Sequence, residues 1–370
     1  MRDTIIKKYN ILFISQSLYL ARSLLTHIEH SNFENADIIT ERKLIGKNIN
    51  VEYIKSSSLC ERINSIYECI LPISYCYIGK SNSFIHRFSS GIKSLFRQRI
   101  LNNLCSFIKN KNYSYIYINS LILHKIISNN YPCIIHVRER YDGSDPTVYD
   151  SLCKAKGVVF IDNAVYEPFK HLTLKHTLII NNPIDMVKLN HIDLKVPVDQ
   201  TKTIFTYIGR IEPDKGISFL IDAFQEANLR DSILLIVGGG DEDYVNCMMN
   251  KSVGYHNIIF YGVEDNIQMI YDISDYILRG ENQQCVGRTM YEGLYSGCEV
   301  IIPGNDLSHV FEGETFKDMI HFYTPCNKDE LSELIKKFNG TKISNRIYRS
   351  NVKDYMQKFN AFVRECLNET

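Results

Sequence analysis

The run Ile208-Gly209-Arg210-Ile211-Glu212-Pro213-Asp214-Lys215-Gly216 sets a guanidinium and an ammonium on either side of a short acidic turn, behind a glycine that follows an apolar stretch. Glycine there lets the main chain approach a ligand closely, and two cations at a helix entrance suit a diphosphate. Charge-assisted hydrogen bonds contribute roughly 1.5–3 kcal/mol each, so the pair acting on a departing diphosphate supplies about 3–6 kcal/mol. The same residues also read as a salt-bridged loop, with Glu212 and Asp214 as counterions.

Three other places have comparable chemistry. Val237-Gly238-Gly239-Gly240-Asp241 is a tight glycine turn with Asp241 placed to cap a helix, but it lacks the G-x-G-x-x-G spacing of a dinucleotide fingerprint. Phe260-Tyr261-Gly262-Val263 ends a strand with a glycine, where a base can stack or bond to main chain. Cys285-Val286-Gly287-Arg288-Thr289 opens a helix whose free N–H groups can donate to sugar or phosphate oxygens. One turn on, the Glu292 carboxylate can accept the two hydroxyl bonds a ribose offers, although alone it reads as an exposed helix glutamate.

Short β-rich apolar runs alternate with stretches of helical period, a pattern that requires crossover connections and parallel sheets; the class is α/β. Strands are expected at Ile11 to Ile14, Asp37 to Thr40, Val51 to Ile54, Tyr115 to Ile118, Cys133 to Val137, Val158 to Ile161 and Leu178 to Ile180. A second series begins at Thr203 to Ile208. It continues through Ile233 to Val237, Ile258 to Gly262, Tyr276 to Leu278 and Val300 to Ile302, with helices between. Ile217, Leu220, Ile221 and Phe224 follow i, i+3, i+4, i+7, and Asn345 to Leu367 has the period of a terminal amphipathic helix. The polar, proline-containing stretch around 191–202 divides the chain into domains at 1–190 and 203–344, with 345–370 returning toward the first. Two such domains leave a cleft beyond the carboxyl ends of their strands, where ligands of open α/β sheets bind.

Composition narrows the function. Of 370 residues, 42 are Lys or Arg and 42 are Asp or Glu, so the broad positive field of a nucleic-acid binder is missing. The 11 cysteines have no C-x-x-C pairing or zinc spacing and read as reduced thiols. The first residues are too briefly apolar for a leader or a membrane span, so a cytoplasmic, soluble protein is expected. One stretch, 80–99, interleaves Lys80, His86, Arg87, Lys93, Arg97 and Arg99 with Phe84, Phe88, Ile92, Leu95 and Phe96. It is a solvated helix face or a contact for anionic headgroups on the inner face of a membrane.

Taken in order, "YIGRIEPDKGISFLIDAF", "LLIVGGGDE", "IIFYGV" and "VGRTMYEGLYSGCEVIIP" resemble the C-terminal domain of family 4 retaining glycosyltransferases, glycosyl transferases group 1. The resemblance covers about residues 203–310 and implies the GT-B architecture, two Rossmann-like α/β domains facing a central cleft. It implies transfer of a sugar from a UDP or GDP donor, with retention and without metal or other cofactor, to a glycan or lipid-linked glycan acceptor. Synthesis of a bacterial surface polysaccharide is the implied setting. By the same resemblance, Arg210 and Lys215 bind the diphosphate behind Gly209, and Glu292 holds the ribose. Gly287, Arg288 and Thr289 cradle sugar and phosphates, and Val263 lies near the base. His136, in Ile134-Ile135-His136-Val137-Arg138-Glu139, matches a histidine that faces the donor sugar and is a candidate for holding the sugar or orienting the acceptor, and Asn181-Asn182-Pro183 resembles the segment before the linker. Two departures stand out: Gln284 occupies the place of the first of the family's paired glutamates, with Glu281 as a possible substitute, and Ser15-Gln16-Ser17 replaces a double-glycine loop. A nucleotide-sugar epimerase or hydrolase of the same fold, or a degenerate binding protein, is the competing reading.

Overall fold

The computed structural model describes residues 9–18, 22–42, 48–69, 99–141, 143, 145–282, 287–304 and 315–368. The 80–99 stretch, apart from Arg99, lies outside them, as does Gln284. The chain forms two units, one of residues 1–183 with 352–370 and one of residues 184–351.

Among the described residues the first unit contains a seven-stranded parallel sheet. Its strands are β1 (Tyr9–Ser15), β2 (Phe33–Glu41), β3 (Ile63–Cys69), β4 (Tyr115–Asn119), β5 (Cys133–Val137), β6 (Gly157–Phe160) and β7 (Thr177–Ile179), in the order β3-β2-β1-β4-β5-β6-β7. Successive side chains of β1 serve opposite faces: Ile11 and Phe13 enter one core with the helix Arg22–His30, and Leu12 and Ile14 enter the other. Burial on both faces is why these strands read as continuous apolar runs rather than as alternation.

The expected strand at Val51 to Ile54 is instead part of a helix, Ile49–Ser56. Asn48 caps it, its side chain accepting from the Val51 amide at 3.3 Å. Val51 and Ile54, three apart, share the buried face while Glu52 and Lys55 are exposed. The neighbouring edge strand is β3, whose half-exposed INSIYEC sequence gave little apolar signal. The terminal helix begins at Val352, not Asn345, and runs to Asn368. The residues before it belong to the second unit, where Ser350 pairs with Asp185 and the Tyr348 hydroxyl donates to Asp272 at 3.0 Å. Val352, Tyr355, Phe359, Phe362, Val363 and Cys366 then complete the core of the first unit.

Three buried histidines are expected to make the first unit acid-sensitive. His124 has no exposed surface; its Nδ1 lies 2.9 Å from Ser151 Oγ and its Nε2 3.4 Å from Asp145 Oδ2. Burial lowers its pKa to about 4, with the Asp145 charge opposing the shift. Burial likewise holds the His27 and His136 imidazoles well below their ordinary value. The unfolded chain therefore binds more protons than the folded one below pH 6.5, and stability falls as pH drops from there toward 4. His124 alone should remove about 2 kcal/mol at pH 5, by the 1.36 kcal/mol worth of each pKa unit. Urea melts at pH 7.5 and pH 5 test this, and His124→Gln should reduce the difference by about 2 kcal/mol.

The second unit contains, among the described residues, a six-stranded parallel sheet of β8 (Thr203–Ile208), β9 (Ser232–Val237), β10 (Ile258–Gly262), β11 (Tyr276–Leu278), β12 (Glu299–Pro303) and β13 (Ile320–Tyr323), ordered β10-β9-β8-β11-β12-β13. Ile204 and Ile208 of β8 face one core, Phe205 and Tyr207 the other. The polar stretch at 191–202 runs along this unit, with Ile192, Leu194, Val196 and Val198 packed on its core. At the amino end of the sheet the buried Asp275 carboxylate accepts from Ile204 N (2.9 Å), Ile343 N (3.1 Å), Lys342 Nζ (2.6 Å) and Arg346 Nη2 (3.2 Å). No described helix is long and apolar enough to cross a membrane.

Candidate functional site

The loops that leave β8, β9, β10 and β11 are stitched together at the carboxyl edge of the second sheet. Ile211 N donates to Gly239 O at 2.9 Å, and Gly238 N to Gly262 O at 2.8 Å. Two glycines permit this. At Gly238, with φ +139°, a Cβ would stand 1.8 Å from Gly209 O, and at Gly216, with φ +68°, 1.7 Å from Gly280 O. Any side chain there would push the loops apart: Gly238 lets the post-β9 segment approach the post-β8 one, and Gly216 lets the post-β8 segment approach the post-β11 one.

Arg210 and Lys215 both lie on this edge. Arg210, with 71% of its side chain exposed, is paired with Glu212, and Lys215 Nζ donates to Asp214 Oδ2 at 2.8 Å. The Lys215 ammonium holds the Asp214 carboxyl below its ordinary pKa. The counterion reading and the ligand reading thus coexist: exposed pairs contribute about 0–1 kcal/mol, so a doubly charged anion can displace these carboxylates. The Tyr207 hydroxyl donates to Arg210 O at 2.8 Å and pins the loop from beneath.

Arg279, a residue the sequence did not single out, organises the segment after β11. It is buried, its Nε donates to Glu281 Oε2 at 3.2 Å, its Nη2 is bonded to Glu281 Oε1, and its Nη1 donates to Thr289 Oγ1 at 3.0 Å. The Tyr323 hydroxyl donates to its carbonyl at 2.6 Å. Glu281, offered as a substitute for the missing glutamate only if the loop were rebuilt, is buried and bonded to Arg279. An arginine directly after a buried strand, with a glutamate two residues on, was the available signal.

Gly287 precedes the helix Arg288–Tyr295 and makes no side-chain hydrogen bond to its first turn. A Cβ at Gly287 would stand 2.8 Å from Arg279 Nη1. Glu292 is not the exposed glutamate its isolated position suggested: it is 4% exposed, accepting from the Tyr271 hydroxyl at 2.8 Å and from Arg288 Nε at 2.8 Å. Val263, by contrast, is 64% exposed and sits against Gly239. Gly209, Arg210, Lys215, Gly287, Arg288 and Thr289 therefore border one connected edge, with Val263 at its side and Glu292 a turn below.

His136 departs from its expected place at a ligand. It lies within β5, has no exposed surface, and its Nδ1 is 2.7 Å from the Tyr117 hydroxyl and 3.2 Å from Arg138 Nη2. The alternation of β5 turns position 136 inward, under the terminal helix, whereas Arg138 emerges at the strand end. Arg138 and Glu139 do not pair through their side chains: Glu139 Oε2 accepts from the amides of Leu121 (2.9 Å) and Arg138 (3.2 Å).

Two parallel-stranded Rossmann-like units, the second carrying glycine turns and cations at its strand ends, define the GT-B fold. Residues 191–359 match the family model of glycosyl transferases group 1. Among solved structures, HepE of Anabaena in complex with UDP and glucose is similar at 15% identity, over 98% of this chain and 94% of that one, with a TM-score of 0.63. A glycosyltransferase from Rickettsia africae is similar at 16% identity, over 98% and 94%, with a TM-score of 0.60. The lipopolysaccharide outer core galactosyltransferase WaaB aligns at 14% identity over 98% and 100%, with a TM-score of 0.56. No curated protein matches by sequence.

Proposed function

We propose that this protein is a retaining, metal-independent glycosyltransferase that moves a hexose from a nucleoside diphosphate onto a hydroxyl of a glycan or lipid-linked glycan. The observation that carries the reading is the joined edge at β8 and β11, where Arg210 and Lys215 flank a turn held against Gly280. A UDP-sugar is the first donor to test, because HepE is solved with UDP-glucose. In this reading the cations neutralise the leaving diphosphate in place of a metal, and the N–H groups that follow Gly287 meet its oxygens or the sugar. A donor phosphate oxygen takes the acceptor's proton as the acceptor oxygen bonds to the anomeric carbon and the carbon–oxygen bond to the diphosphate breaks. The acceptor enters on the face the diphosphate leaves, which retains configuration. Val263 borders the base, and Glu292 accepts from the ribose hydroxyls when Arg288 releases it. Gln284, being neutral, donates or accepts at a sugar hydroxyl. The work is placed in the cytoplasm, against the inner membrane face if 80–99 meets headgroups, and serves surface polysaccharide synthesis.

Incubation with radiolabelled UDP- and GDP-hexoses and a panel of glycan and lipid-linked acceptors tests the proposal. Label should pass to an acceptor. Donor conversion without transfer would favour the epimerase or hydrolase, and binding without turnover a degenerate protein. Glu292→Gln, which keeps shape and loses charge, should weaken UDP binding about tenfold, the worth of one charge-assisted bond. Calorimetric titration of the folded variant with UDP reads the effect.

A further inference from the structure

The first sheet also presents a cation at its carboxyl edge, and among the described residues no carboxylate neutralises it. The strand order reverses between β1 and β4, the point at which open α/β sheets admit ligands beyond their strand ends. Ser15 ends β1, Asn119 ends β4, and Arg138 follows β5. Asn119 Nδ2 donates to Ser15 Oγ at 3.4 Å, and Arg138 Nε donates to Asn119 Oδ1 at 2.8 Å. Arg138 Nη1 is bonded to Asn182 Oδ1, and Nη2 donates to the Tyr117 hydroxyl at 3.2 Å. His136 Nδ1 lies 3.2 Å from the same Nη2.

Every one of these partners is neutral. Burial, reinforced by the Arg138 charge itself, keeps the His136 imidazole unprotonated. Glu139, the adjacent acid, is held instead by two main-chain amides. Arg138 is half-buried, so water screens its charge only in part, and one N–H of Nη1 is left for a ligand. Next to Asn119, Ser120 has φ 138°, a backbone conformation that costs on the order of 1–3 kcal/mol and concentrates at ligand sites. A guanidinium fixed by neutral groups on three sides is built to meet an oxyanion on the fourth.

We propose that Arg138, framed by Asn119 and Asn182, binds a phosphate or carboxylate carried by the acceptor. The inference rests on the glycosyltransferase reading and names the class of acceptor: an anionic glycan or a phosphate-linked one. Tyr117 and His136 are then positioning residues that hold Nη2 in place.

The test uses the full chain and inorganic phosphate. In an Arg210→Ala, Lys215→Ala background, calorimetry should find a phosphate site that Arg138→Gln weakens about 10- to 100-fold, the worth of the charge-assisted bonds removed. Arg138→Lys, which keeps the charge and loses the fork, should weaken it less and serves if the glutamine variant does not fold. With Arg210 and Lys215 intact, Arg138→Gln should raise KM for a phosphate- or carboxylate-bearing acceptor, and leave KM for its neutral analogue and the Kd for UDP unchanged. Phosphate binding indifferent to both substitutions overturns the site, and a fall in UDP affinity overturns its assignment to the acceptor. Phosphate bound through Arg138 in a chain that binds no nucleotide-sugar would instead sink the transferase reading and leave the anion site standing.

Discussion

Replacing Arg210 and Lys215 together by alanine is expected to slow sugar transfer about a hundred- to ten-thousandfold, the rate equivalent of two lost charge-assisted bonds. The loss should fall on turnover more than on donor affinity. In the ground state the diphosphate's charge is shared with the sugar bond, whereas in the transition state it develops fully on the leaving group, where fixed cations act most strongly. Arg210 is exposed and both cations sit in local pairs with Glu212 and Asp214, so neither substitution removes core packing. Thermal midpoints should stay unchanged within about a degree or two, the effect of a few tenths of a kcal/mol. Single-turnover rates at saturating donor, set beside UDP affinities, separate the two effects. Wild-type rates in both single variants would remove the assigned roles.

Asp275→Ala should destabilise the second unit by about 3–5 kcal/mol, the range seen when one partner of a buried ion pair is deleted. The carboxylate has no exposed surface and serves two amides and two cations. Its loss leaves Lys342 and Arg346 without their counterion, and it unties the 342–346 segment from the start of β8. The site edge is at the opposite end of the same sheet. Any UDP binding of the still-folded fraction should therefore be unchanged, which distinguishes this variant from one that damages the site. Guanidinium denaturation measures the effect; a loss below about 1 kcal/mol would mean that water or rearrangement replaces the carboxylate.

Most strands of both sheets were legible because they are buried on two faces: SILLIV and CIIHV leave no other reading, whereas β13, Ile320–Tyr323, was not anticipated. Val51 to Ile54 misled because four residues contain too little of a period to tell helix from strand, and the deciding feature, the Asn48 cap, lies outside them. The half-exposed β3 escaped for the converse reason, its apolar residues being diluted by Asn64, Ser65 and Glu68. At the site, Arg210 and Lys215 drew attention because a glycine and two charges follow β8 within a few residues. Arg279 follows β11 as directly, but its organising role was not legible, since its partner Thr289 becomes a neighbour only once the loop folds back on the next helix. His136 and Arg138 differ by two positions, yet one is enclosed and the other emerges. The strand's end decides between them, and no local pattern marks it.

The terminal helix adds a temporal consequence. Residues 184–351 form one continuous stretch, while the core under β1, β4 and β6 needs Tyr355, Phe359 and Phe362 from the far end of the polypeptide. During vectorial synthesis the second unit can therefore reach its native state first, while the earlier-made sheet waits with an apolar face uncovered. That nascent face is what a ribosome-associated chaperone would encounter, and the order of folding runs opposite to the order of translation.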